Sequence, residues 1–135
     1  MPYYRLFYHF AWATKQREPL ITVDNRTAIY AVAVDKVLEM RGIVHAIGGM
    51  PDHLHLVATV PPSVSLSSFI GQIKGSSSHL ASHLQPVGYE VFAWQPEYGV
   101  VSVTESHLPI VVRYVLNQEQ HHTQNTLKQK LENFE

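Results

Sequence analysis

Two short stretches carry side chains able to do chemistry together. His53-Leu54-His55 sits in GMPDHLHLV, and Tyr114 and Gln118 sit in RYVLNQ. In an extended strand alternate side chains share a face, so the two imidazoles point the same way from Cα atoms ~7 Å apart. From there they can converge on one metal ion. A spacing of four on a helix puts Tyr114 and Gln118 on one face, one turn apart. The phenol can then attack while the glutamine carbonyl ligates the ion. Taken singly, each motif has a plainer explanation. An isolated His-x-His pair is more often two surface histidines on a half-buried strand, and a helical tyrosine more often simply packs.

Together the four residues define a reaction type. A phenol titrates near pH ~10 and is a poor nucleophile unaided. A divalent cation beside a phosphodiester polarises its oxygens and offsets the charge that develops in the transition state. Two imidazoles and one amide are neutral ligands, so the cation keeps its charge and several open positions. Mg²⁺ or Mn²⁺ suits such a set, Mn²⁺ accepting imidazole more readily. A phosphotyrosine bond conserves the energy of the phosphodiester, so a strand cut this way can be resealed without a nucleotide cofactor.

The composition narrows the choices further. The chain has 135 residues and no cysteine, so any metal is held by nitrogen and oxygen, and thiol nucleophiles are excluded. At 45% hydrophobic and 16% charged it can build a core, and its length suits one domain spanning residues 1–135. No apolar run approaches the ~20 residues of a membrane span. Arg5 and His9 interrupt the apolar N-terminus, so no signal peptide is expected and a cytoplasmic location is. A net charge of -1 argues against a nucleic-acid partner, since such domains usually carry a basic excess.

The elements that must position these residues follow from periodicity and punctuation. Residues 3–14 are aromatic-rich and read as a strand. A helix capped by Thr22 or Asp24 runs to about Arg41 and ends at Gly42, with Ile29, Val32, Ala33, Val37 and Met40 at helical spacing. Residues 43–48 form a second strand, 49–52 a turn, and 53–60 a third strand whose Leu54, Leu56 and Ala58 face the core. A second helix runs from a Ser65 cap to Leu84 on a stripe of Leu66, Phe69, Ile70, Ile73, Ser77, Leu80 and Leu84. Short strands at 91–94 and 98–104 flank the Gln95-Pro96-Glu97 turn. A third helix, capped by Ser106 with Pro109 in its first turn, runs to about His122, and an amphipathic tail follows with Leu127, Leu131 and Phe134. The expected fold is α+β: a ferredoxin-like βαββαβ antiparallel sheet with helices on one face and a C-terminal helix carrying the tyrosine.

Five stretches in this order carry a family resemblance: YHFAWATKQREPLI, GMPDHLHLV, QIKGSSS, FAWQPEYGVVSV and RYVLNQEQHH. The chain resembles the single-tyrosine HUH transposases of the insertion-sequence 200/605 family (transposase IS200-like) over nearly its whole length. The resemblance implies that His53 and His55 are the metal-binding pair, Tyr114 the nucleophile and Gln118 the residue completing the metal site. It implies single-stranded DNA with hairpins at element ends as substrate, in a prokaryotic cell, cut through a 5′-phosphotyrosine with a free 3′-hydroxyl. It also implies a homodimer with joined sheets, in which the tyrosine helix of one subunit can serve the histidine pair of the other. Two alternatives stand beside it. One is a catalytically idle hairpin-binding protein of the same fold. The other is a small metal-dependent phosphodiesterase in which Tyr114 only orients a water.

Other residues carry weaker signals. Lys74, beside Gly75 and a serine run, is a candidate DNA contact or a solvated helix lysine, and the same choice applies to Arg113. Asn117 could order the site. His121, two turns from Tyr114, could relay a proton, but a histidine such as His121 or His122 near a helix C-terminus also suits the helix dipole. Trp94 and Tyr98 could stack on bases, though aromatics on short strands more often belong to the core.

Overall fold

The computed structural model describes residues 2–85 and 91–118. The chain runs β1 (Phe7–Ala13), α1 (Arg26–Glu39), β2 (Ile43–Met50), β3 (His53–Thr59), α2 (Leu66–Leu84), β4 (Gly99–Val103) and α3 (Leu108–Leu116). The four strands form one sheet in the order β2-β3-β1-β4, every neighbour antiparallel. This is the expected ferredoxin-like arrangement. β2 and β3 are a hairpin; the other strands connect through helices. Among the described residues no helix is long and apolar enough to cross a membrane.

Strand alternation divides the core between the two faces of the sheet. Phe10, Trp12, Leu54, Leu56 and Ala58 point toward α1 and α2, joining Ile29, Ala33, Val37, Phe69, Ile70 and Ile73. Phe7, Ala46, Val57 and Val103 point the other way, where Val111 and Val115 of α3 cover them. α3 therefore lies on the opposite face from the other two helices. β3 is buried along its whole length, because it is central in the sheet and covered on both sides. His53 and His55 thus stand under α3, not on a half-buried surface strand.

The helix termini explain several boundaries. Thr22 and Asn25 exchange hydrogen bonds, Asn25 Oδ1 accepting from the Thr22 N–H and Thr22 Oγ1 from the Asn25 N–H, so α1 starts later than a Thr22 or Asp24 cap implies. It ends at Glu39, capped by Met40, two residues short of the expected Arg41, which takes the left-handed φ of 63° ahead of Gly42. Gly42 instead allows a close approach: a Cβ there would lie 2.8 Å from the Thr59 carbonyl oxygen. Ser65 caps α2 as expected, its Oγ accepting from the Ser68 N–H. On α2 the buried stripe ends at Ala81, and Leu84 is exposed.

Three expected elements differ. The hairpin turn is shorter, since β2 runs through Met50 and leaves Pro51-Asp52 as the turn. Residues 91–94 are not a strand. Only Trp94 bridges to Thr14, because β4 already occupies the same edge of β1 from Phe7 to Ala11. Ser106 lies inside a 3₁₀ turn, Glu105–His107, and His107 is the residue that precedes α3. The helical run of α3 breaks at Asn117 (φ −107°, ψ 28°). The expected continuation to His122, the roles weighed for His121 and His122, and the tail with Leu127, Leu131 and Phe134 lie outside the described residues.

Candidate active site

The four predicted residues meet on the α3 face of the sheet. His53 and His55 project from the start of β3 with ring centroids 5.1 Å apart and planes at 82°. The Tyr114 ring stands edge-on to His55, centroids 6.2 Å apart. Gln118 Oε1 lies 3.0 Å from His53 Nε2. All four side chains are at most 2% exposed. Gln118 follows the break at Asn117, so its approach is set by that turn as well as by helical spacing.

Each imidazole is held at Nδ1 by a residue that sequence reasoning missed. Asp52 Oδ1 accepts from His53 Nδ1 at 2.8 Å. His9 Nε2 lies 2.8 Å from His55 Nδ1, in a bond buried on both sides. With both Nδ1 atoms engaged, Nε2 is the nitrogen each ring would offer a metal. Partners of this kind fix the tautomer and orientation of ligating histidines. Asp52 is in turn gripped by Arg17, whose guanidinium reaches Asp52 Oδ2 at 2.9 Å. Burial pushes the Asp52 carboxyl up, but the bonds and charges of His53 and Arg17 outweigh it and bring it down to about 2. The backbone of Asp52 is fixed too, its carbonyl accepting from Thr14 N (2.9 Å) and Thr14 Oγ1 (3.2 Å).

A second 3₁₀ turn, Lys15–Arg17, delivers Arg17 and is strained. Gln16 and Arg17 are consecutive non-glycine residues at φ of 55° and 57°, a conformation that costs energy at each position. It holds Arg17 against Asp52. Two signals could have flagged these residues: an acid directly before the first histidine, and a second period-two histidine on β1. The second needed the register, which pairs Ala11 with His55 and so places His9 diagonal to it.

The contacts around His53 test the fit to a metal. When the ring carries a single proton, on the Nδ1 that donates to Asp52, His53 presents a lone pair at Nε2. Gln118 Oε1 presents lone pairs at the same point, 3.0 Å away. Two acceptors that close repel unless a proton or a cation lies between them, or the amide is turned round. A divalent ion drawing both, with the His55 ring centred 5.1 Å from that of His53, would satisfy the set, and its nitrogen and oxygen donors suit Mn²⁺ or Mg²⁺.

The other candidates stand apart from this cluster. Lys74 Nζ donates to the carbonyls of Gln95 (2.6 Å), Pro96 (3.2 Å) and Glu97 (3.1 Å), tying that loop to α2. Burial pushes its ammonium down, against the opposing pull of Glu97. Arg113 and Asn117 are exposed on or just after α3. Trp94 and Tyr98 pack against the core on the α1/α2 side, and Trp94 Nε1 donates to Ser77 Oγ.

The chain as a whole is similar to known proteins. Residues 2–118 match the model of the family described as Transposase IS200 like. The chain is 24% identical over 119 residues to the ISDra2 transposase TnpA of Deinococcus radiodurans, covering 85% of each. It is 32% identical over 72 residues to the transposase for insertion sequence element IS200 of Salmonella typhimurium, a match spanning 53% of this chain and 47% of that protein. A crystal structure of a candidate transposase from Deinococcus radiodurans aligns with TM-score 0.68 and 25% identity, covering 87% of this chain and 95% of that one. A REP-associated tyrosine transposase bound to a REP hairpin shares the fold at TM-score 0.66 and 18% identity, over 90% of this chain and 74% of that one.

Proposed function

Because the chain belongs to the IS200-like transposase family, we propose that it cuts and rejoins single-stranded DNA with Tyr114 as nucleophile, beside a Mg²⁺ or Mn²⁺ ion held by His53, His55 and Gln118. One observation carries this: residues from β1, the β2–β3 turn, β3 and the α3 segment converge so that a phenol, two oriented imidazoles and an amide oxygen share one buried site. When bound, the cation polarises the scissile phosphate and offsets its developing charge.

The residues of the chain do the rest. The Tyr114 oxygen attacks phosphorus, an O–P bond forms and the bond to the 3′-oxygen breaks. The phenol gives up its proton, and the 3′-oxygen leaves as a hydroxyl. Attack by a 3′-hydroxyl on the phosphotyrosine reverses the exchange and rejoins a strand. Asp52 and His9 hold the imidazoles in place throughout. At 2% exposure the Tyr114 ring is beyond reach of a DNA strand, so the groups around it must be displaced before the phosphodiester enters.

The substrate we propose is a hairpin-bearing strand, supported by the REP hairpin held by a protein of the same fold, acted on in the cytoplasm. We also propose a homodimer, which sedimentation of the pure protein tests; a monomer at all concentrations would remove it. For the reaction, hairpin-bearing single-stranded DNA and Mn²⁺ are incubated with the protein and run on a denaturing gel. A covalent protein–DNA adduct, absent with Tyr114→Phe, is expected. Cleaved DNA without an adduct would point to a hydrolase in which Tyr114 only orients water. No cleavage despite metal binding would leave a hairpin-binding module.

A further inference from the structure

We propose that Gly48 is a positioning residue for this reaction: its missing side chain is the seat for the last turn of α3, and so sets how near Tyr114 and Gln118 come to the two imidazoles. The proposal rests on the assignment of Tyr114 as nucleophile. Gly48 pairs with His55 across the β2–β3 ladder. It shares its face of β2 with Ala46, which packs against α3 in the cluster of Val111 and Val115. A Cβ at Gly48 would fall inside van der Waals contact with the Val115 carbonyl oxygen, with Val115 Cγ1 3.6 Å away.

The obstruction is backbone, so it cannot swing aside as the tip of a side chain would. Nor is glycine needed for its conformational freedom, since Gly48 is not among the left-handed positions of the chain. What the position requires is space. Val115 follows Tyr114 directly and precedes Gln118 by three residues, so a lifted Val115 carbonyl takes both functional side chains with it. If β2 bows away instead, its pairing with His55 carries the strain into the metal site. In either case the His55–Tyr114 separation, now 6.2 Å between centroids, grows.

Restoring ordinary contact needs a shift of about 1 Å, and a misplacement of that size can cost ~10²-fold in rate. Gly48→Ala should therefore lower the single-turnover rate of adduct formation, per folded molecule, about 10²-fold. Hairpin-DNA affinity should stay within about twofold, and the ring-to-ring nuclear Overhauser contact between His55 and Tyr114 should weaken. Gly71→Ala, where a Cβ meets nothing within 4 Å, should keep the parental rate. A folded Gly48→Ala protein with the parental rate overturns the proposal, as does a rate loss matched by loss of DNA affinity. Should Gly48→Ala fail to fold, the parent still decides: Gly48 Hα must show Overhauser contacts to Val115, and their absence overturns the seat. If the parent itself forms no adduct, the assignment of Tyr114 fails, while the Gly48–Val115 contact is still tested on its own.

Discussion

Replacing His9 by Phe probes the site from a residue that touches neither metal nor DNA in the proposed mechanism. The substitution roughly keeps ring volume and removes both nitrogens. His55 Nδ1 then loses a partner at 2.8 Å in a bond where neither ring is more than 2% exposed. Water cannot readily replace it, so the loss costs about 1–3 kcal/mol. Expressed entirely on ligation by His55, that is roughly 5- to 140-fold in metal affinity, consistent with the ~10–100-fold lost when partners behind metal-binding histidines are removed. Manganese titration followed by electron paramagnetic resonance reads it directly, with circular dichroism confirming the fold. His45→Phe is the control. His45 makes a bond of similar length, 2.7 Å to Thr59 Oγ1, but away from the cluster, and its loss should leave manganese affinity unchanged. A folded His9→Phe protein with parental affinity would refute the orienting role of His9.

Further tests concern the surrounding network. Asp52 titrates at about 2 in the folded protein against an ordinary 3.8; a lowered folded value means stability present above pH 4 and lost as pH falls through 4 toward 2. Urea melts across that range should show the slope, Arg17→Ala should move its lower limit upward, and Asp52→Asn should remove it; a parental slope in Asp52→Asn would contradict the assignment. Lys74→Met breaks three bonds to the 95–97 loop and should cost about 1–3 kcal/mol in thermal melts, whereas unchanged stability with weakened DNA binding would make Lys74 a DNA contact. Tyr114 lies against His55 of its own chain, so mixing His55→Ala with Tyr114→Phe chains should not restore cleavage; rescue in verified heterodimers would mean that α3 serves a partner's imidazoles.

Local pattern made much of this legible. Period-two alternation in His53–Thr59 correctly assigned one face to the histidines and the other to Leu54, Leu56 and Ala58. The Ser65 cap and, as far as Ala81, the helical stripe of α2 are legible because both signals lie within one element. What was missed depends on register and on long-range contact. His9 becomes meaningful only once β1 is aligned on β3. Residues 91–94 have strand-like composition, but the edge they would extend is taken by β4. Arg17 reaches Asp52 through two left-handed residues that no propensity favours. Gly48 looked like a strand glycine, and its significance comes from a helix more than sixty residues later.

The proposed reaction joins Tyr114 covalently to DNA beside the His53–His55 pair. It is tested most directly by digesting the protein after reaction with hairpin-bearing single-stranded DNA and Mn²⁺, then locating the nucleotide-bearing peptide by mass spectrometry. The expected result is a 5′-phosphate linked to Tyr114, missing when His53 and His55 are both changed to Ala. A linkage at any other residue, or at Tyr114 with undiminished yield in the doubly substituted protein, would contradict it.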